Sequence, residues 1–330
     1  MSTLARFPDR PRHRSGPVWR LPRLLHRIAW TVLFALLSGL APLVSQASDC
    51  RPVARAQTTP LPAGDFSHGL LWKIETPGAA PSYLFGTFHT SDPRITVLPC
   101  PVKTVFDQTS SYTMEMITNG AGIVSMAEAM FFNDGKTLKD VVGEALYKDT
   151  LDVIGISDAG KARSINSMKP WAVMMTLSGP REGGGLPLDL ALQYQATRQG
   201  KPTYGLETMD EQIAVFNGMS LADQVTLLRD TVQTQKGAQD AMEELTRAYL
   251  DRNLAALMAL NDRFKPADTR VYDTLMDRLL VQRNRNMAER MQKYLKQGNA
   301  FIAVGALHLP GDTGLLALLS AGGHQVTRIY

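Results

Sequence analysis

One local pattern occurs twice in this chain, a short apolar run that breaks into Gly-x-x-His. Leu84-Phe85-Gly86-Thr87-Phe88-His89 stands near the start, and Ala303-Val304-Gly305-Ala306-Leu307-His308 near the end, of 330 residues. Each reads as a buried strand with a histidine just past its end, the place where open α/β sheets bind ligands. A glycine there lets the backbone turn or approach a ligand closely. Nothing local brings the two histidines together. They meet only if their strands are neighbours in one sheet, so the pattern predicts a fold that closes its two ends onto each other.

The rest of the chain agrees. Leu70–Glu75 and Ser82–Phe88 are apolar runs separated by Thr76-Pro77-Gly78, which predicts a hairpin. Ser111–Met116 is a third strand and Pro202–Glu207 a fourth; Ala300–Val304 and Gln325–Tyr330 close the chain. From Ile123 to about Arg263 the spacing is mainly helical, with amphipathic stretches at Leu188–Arg198, Leu221–Lys236 and Gly237–Leu250. A long helix is predicted from Arg270 to Leu295 and a short one over Gly314–Ala321. The expected fold class is α/β: a central mixed sheet built from both chain ends, flanked by helices, with a largely helical middle insertion.

With 44% hydrophobic and 20% charged residues the chain can bury a sizeable core. The net charge of +4 invites a nucleic-acid reading, but the excess sits in residues 1–47. Those carry seven arginines against one acid, a net +6, so the remainder stands at −2 and no nucleic-acid partner is expected. An arginine-rich start, an apolar stretch from Ile28 to Val44 and Ser45-Gln46-Ala47 mark an export signal cut after Ala47. The expected organisation is a signal peptide at 1–47, a Pro- and Thr-rich linker at 48–67 and one domain at 68–330, placing the mature chain in the periplasm or outside the cell. A membrane partner is expected only if the signal segment is retained as an anchor. The two cysteines, Cys50 and Cys100, fall in the exported part, where an oxidising compartment favours a disulfide.

Carboxylates stand in the same kind of position as the histidines: Glu115 inside an apolar strand and Glu207 at the end of Tyr204-Gly205-Leu206-Glu207. A charge among apolar neighbours costs several kcal/mol unless it is paired or metal-bound, so each asks for a partner. Two imidazoles with one or two carboxylates suit a divalent ion such as zinc, manganese or cobalt. The competing expectation is that each glutamate pairs with an arginine.

Together these residues resemble the TraB/GumN family, a group that includes the Tiki proteins of animals and is linked by fold to ChaN-like haem-binding lipoproteins. The resemblance runs from about Gly69 to Tyr330. It rests on Leu71-Trp72-Lys73-Ile74, Gly86-Thr87-Phe88-His89, Glu115, Lys169-Pro170-Trp171, Asp189, Gly205-Leu206-Glu207-Thr208 with Gln212, Arg283-Asn284, and Val304-Gly305-Ala306-Leu307-His308-Leu309 with Gly311. It implies a metal-dependent, peptidase-like hydrolase acting on a peptide or protein. Carried over by position, His89 and His308 are expected metal ligands with Glu115 as the third, and Glu207 the base; the two glutamates are interchangeable. Arg283 either steadies the oxyanion or pairs with Glu207, and Asn284 is a weaker polar candidate. The alternative is a periplasmic protein that binds haem, a peptide or a saccharide in the same cleft without turnover.

Other patterns do not qualify. There is no His-Glu-x-x-His and no Gly-x-Ser-x-Gly, and Gly135-Lys136-Thr137 lacks the upstream glycine of a phosphate loop. Gly183-Gly184-Gly185 reads as a flexible loop, and Met287 and Met291 as core. His68 and His324 are expected at the surface.

Overall fold

A computed structural model describes residues 50–51, 64–179, 185–263, 265 and 269–330. The segment read as an export signal, most of the linker, and Gly183-Gly184 lie outside the described residues. Six strands form one mixed sheet: β1 (Leu71–Glu75), β2 (Ser82–Thr87), β3 (Ser111–Met116), β4 (Thr203–Glu207), β5 (Ala300–Gly305) and β6 (Gln325–Arg328), in the order β4-β3-β5-β2-β1-β6. The hairpin is present, β1 running antiparallel to β2 and also to the final strand β6. β2, β5, β3 and β4 are mutually parallel, so their C-terminal ends lie along one edge of the sheet.

The two Gly-x-x-His strands are direct neighbours, with Gly86 opposite Val304 and Thr87 opposite Gly305. A strand covered on both faces reads as a continuous apolar run rather than an alternation. Ala300-Phe301-Ile302-Ala303-Val304 is such a run, and all five residues are buried. Around it Phe85, Phe106 and Tyr112 pack on Phe301, the Phe106 ring edge-on at 5.1 Å. A second apolar cluster holds the helical middle around Trp171, which stacks on Phe216 at 5.7 Å. Lys169-Pro170-Trp171 is therefore a packing motif: Pro170 occupies the first turn of the Pro170–Ser178 helix, where a missing N–H costs nothing.

The sequence misreads three details. The helix expected over Arg270–Leu295 is split into Thr269–Met276, a π-helical stretch Asp277–Gln282 and Arg283–Gln297. A π turn inserts a residue and shifts the helical face that follows; here, of two residues adjacent in sequence, Arg283 reaches Glu115 and Glu207 on the sheet and Asn284 reaches His308 beyond β5. His324 is buried rather than exposed, held between Thr76 Oγ1 at 2.9 Å and Gln292 Oε1 at 3.0 Å where the chain folds back into β6. His68 is half-buried, bonded to Ser67 Oγ at 2.9 Å and bridged to Asn253.

Cys50 and Cys100 form the expected disulfide. Next to it Arg51 N–H donates to Leu98 O at 3.0 Å and Cys100 N–H to Arg51 O at 3.1 Å, tying the N-terminal arm to the fold. Closing a loop with a sequence separation of 50 is worth about 4 kcal/mol in the chain-entropy treatment. Among the described residues no helix is long and apolar enough to cross a membrane.

Candidate functional site

The strand ends deliver side chains to one place. His89 follows β2, Glu115 lies in β3, Glu207 ends β4, and His308 closes the short turn after β5. They gather over Gly305. A Cβ added at residue 305 would sit 3.3 Å from Glu115 Oε1, 3.5 Å from His308 Cδ2 and 4.0 Å from His89 Nε2. The two imidazoles therefore converge well inside the roughly 10 Å beyond which one ion cannot serve both.

The two motif glycines have different physical reasons. At Gly86 a Cβ would strike Leu309 Cδ1 at 2.7 Å, so the first glycine serves packing. Gly305 has φ −54°, a conformation open to any residue, so what excludes a side chain there is the three converging groups. Gly305→Ala should therefore fold normally yet weaken divalent-ion binding by about tenfold or more, read by equilibrium dialysis; unchanged binding would remove Gly305 from the site.

Each histidine is held by its Nδ1. Asn284 Nδ2 donates to Thr313 O at 2.9 Å, which fixes the amide so that Oδ1 faces His308 Nδ1 at 2.6 Å. Nδ1 must then carry the hydrogen, leaving the Nε2 lone pair of the neutral ring turned towards Glu115 Oε1, 3.6 Å away and too long for a hydrogen bond. His89 Nδ1 meets Asp189 Oδ2 at 2.7 Å, and Thr87 Oγ1 donates to Asp189 Oδ1. Asp189 and Asn284 thus orient the two rings. Asp189 is legible as part of the family pattern but without a role, and Asn284 only as a weaker polar candidate.

The carboxylates share one cation. Arg283 Nε donates to both oxygens of Glu207 at 3.0 Å, and its Nη2 donates to Glu207 Oε2 at 2.6 Å and Glu115 Oε2 at 2.5 Å. Gln212 adds 3.2 Å to Glu207 Oε2, and the Gly305 N–H donates to Glu115 Oε1 at 2.6 Å. Glu207 is thus in the site as the partner of Arg283, with its side chain only 3% exposed, rather than as a carboxylate facing solvent.

Burial alone would raise the Glu115 carboxyl, but His308, Arg283, His89 and the Gly305 amide outweigh it and hold it down to about 2. Since His308 is itself lowered to about 4, chiefly by burial, it is neutral at pH 7 and Arg283 is the lasting cause. The hydrogen bond to Asp189 raises His89 to about 9. For the metal-free protein these shifts set a pH window. His308 excludes a proton that the unfolded chain binds, so stability is lost as pH falls from 6.5 through about 4. His89 holds a proton the unfolded chain has released, so stability is lost as pH rises from 6.5 through about 9. Denaturant unfolding in chelator should show maximal stability near pH 6.5, and a flat profile from 5 to 9 would contradict both assignments.

Among the described residues no group of three or more His, Cys, Asp and Glu side chains is arranged to hold a metal ion as it stands. The donor set nevertheless fits a borderline divalent ion: two imidazoles anchored at Nδ1 with Nε2 turned inward, an ionised carboxylate between them, and no Cβ on residue 305.

Residues 70–328 match the TraB/PrgY/gumN family. The chain is 24% identical over 337 residues to Metalloprotease TIKI2 of Danio rerio, covering 86% of this chain and 65% of that protein. It is also 24% identical to Metalloprotease TIKI1 of Xenopus tropicalis and of Homo sapiens, each over 78% of this chain and 61% of the relative. The relationship is distant, and the chain spans a little under two thirds of the length of these relatives. No solved structure matches the chain.

Proposed function

The chain belongs to the TraB/PrgY/gumN family, and from that premise we propose that it is a metal-dependent hydrolase of peptide bonds whose ion is held by His89, His308 and Glu115. The observation that carries this reading is the convergence of His89 Nε2, the His308 ring and Glu115 Oε1 over a glycine that leaves room for them. The distant relationship to the TIKI metalloproteases supports it. Zinc, manganese and cobalt all suit two imidazoles and a carboxylate.

The chemistry such an ion supplies is polarisation of a carbonyl and a hydroxide nucleophile at neutral pH. This chain's own residues prepare the place for it. His308 presents a lone pair in a tautomer fixed by Asn284. Glu115 stays ionised under Arg283, which is itself held charged by the two glutamates. Glu207, itself held by Gln212, fixes the guanidinium, and through it the Glu115 carboxylate. The disulfide and the signal-like residues 1–47 support export to the periplasm or beyond.

Chelator should abolish cleavage of a fluorescence-quenched peptide library by the purified chain, and one of zinc, manganese or cobalt should restore it. Cleavage indifferent to chelator would refute the mechanism, while metal uptake with no cleavage would favour the binding-protein alternative. Glu207→Gln separates two roles. As the anchor of Arg283 it should loosen metal binding by about 10- to 100-fold, the usual size for a group that orients a ligand. Unchanged metal affinity with a rate lower by roughly two to four orders of magnitude would make Glu207 the general base instead.

A further inference from the structure

We propose that Asp189 is a positioning residue that aims His89 at the ion; this rests on the metal-site reading above and extends it to a residue with no assigned role. The reason lies in how differently the two histidines are held. His308 is enclosed, its side chain 6% exposed, so packing and Asn284 together fix the ring. The His89 side chain is 69% exposed. An imidazole that open to solvent samples several rotamers unless something ties it, and ordering it would then be charged against ligand binding. Among the described residues the one polar partner of the His89 ring is Asp189.

Asp189 is built to be that tie. It lies in the first turn of the Leu188–Arg198 helix, and the start of this helix is pinned to the segment after β2 by Leu188 N–H donating to Thr90 O at 3.1 Å. Thr87, the last residue of β2 and itself 1% exposed, donates its hydroxyl to Asp189 Oδ1. That bond fixes the carboxylate, and Oδ2 is left to receive His89 Nδ1–H at 2.7 Å. With Nδ1 engaged, Nε2 is the atom left to meet a ligand, and it is the atom that stands 4.0 Å from the Cβ position over Gly305. A carboxylate behind an imidazole both fixes its tautomer and strengthens it as a donor. The neutral Asn284 behind His308 supplies only the first effect, so the exposed histidine has the stronger tether.

The test is zinc affinity by equilibrium dialysis on the whole chain, with the cobalt absorption spectrum as a second readout of the ligand field. Wild type, Asp189→Asn, Asp189→Ala and Thr87→Val are compared, each alongside its thermal midpoint. Asp189→Asn keeps the volume, and its thermal midpoint reports the lost ion pair separately from zinc binding. It should weaken zinc binding by about 10- to 100-fold and change the cobalt spectrum, Asp189→Ala should do so at least as much, and Thr87→Val should give a smaller loss in the same direction. Asp189→Asn that binds zinc as tightly as wild type with an identical cobalt spectrum overturns the proposal while leaving the metal site standing. A wild-type chain that takes up no zinc, manganese or cobalt overturns the site reading and this inference with it.

Discussion

Arg283→Ala should lower the unfolding free energy of the protein by about 3–5 kcal/mol at neutral pH, the usual cost of removing one partner from a buried ion network. The guanidinium is shared by Glu115 and Glu207, whose side chains are 12% and 3% exposed, so its loss strands two charges. A charge in such a place is relieved by taking up a proton, so the variant should recover stability as pH is lowered towards 5, opposite to the trend in the parent protein. Adding Glu207→Gln removes one stranded charge and should return a good part of the loss. Urea unfolding of the single and double variants measures both effects. A cost under about 1 kcal/mol would mean the network is far wetter than the geometry describes.

The second large effect belongs to the paired histidines. Replacing both His89 and His308 with alanine leaves Glu115 as the one donor over Gly305. A single carboxylate does not hold a catalytic divalent ion, for which three protein ligands are usual. Polarisation of a carbonyl by the ion contributes several kcal/mol, and 1.36 kcal/mol is a factor of ten in rate, so hydrolysis should fall by roughly three orders of magnitude or more. His308→Ala alone also opens space in a buried position, so its thermal midpoint must be read beside the rate. His89→Ala does not, because that ring faces solvent. Peptide cleavage by the double variant at a tenth of the parent rate or above would remove the histidines from the chemistry.

Much of the fold was legible because its signals are local. Six strands and their hairpin follow from apolar run lengths and from Thr76-Pro77-Gly78, where Gly78 takes φ +78°. The neighbourhood of β2 and β5 followed from repetition of one pattern at both chain ends. The π-helical stretch at Asp277–Gln282 was not legible, since its residues continue a helical period and the extra residue is set by what the helix packs against. The burial of His324 was missed for a related reason: its partners, Thr76 and Gln292, come from distant parts of the chain. Within the site, residue types and strand positions pointed to His89, His308, Glu115 and Glu207, and the pairing of Arg283 with Glu207 was one of the two expectations for that arginine, but the rest of the hydrogen-bond pattern was not legible. Arg283 bridging both glutamates, Asp189 behind His89 and Asn284 behind His308 are pairings across 76 to 168 residues, 100 residues and 24 residues, and no spacing rule reports them.

The claim that the two histidines and Glu115 form one metal site is tested most directly by counting ions. The purified chain, stripped with chelator and dialysed against zinc, manganese or cobalt at pH 7.5, should retain one equivalent of at least one of them. The His89→Ala/His308→Ala variant, treated in parallel, should retain none above background. Equal retention by the two proteins, or none by either, would contradict the site.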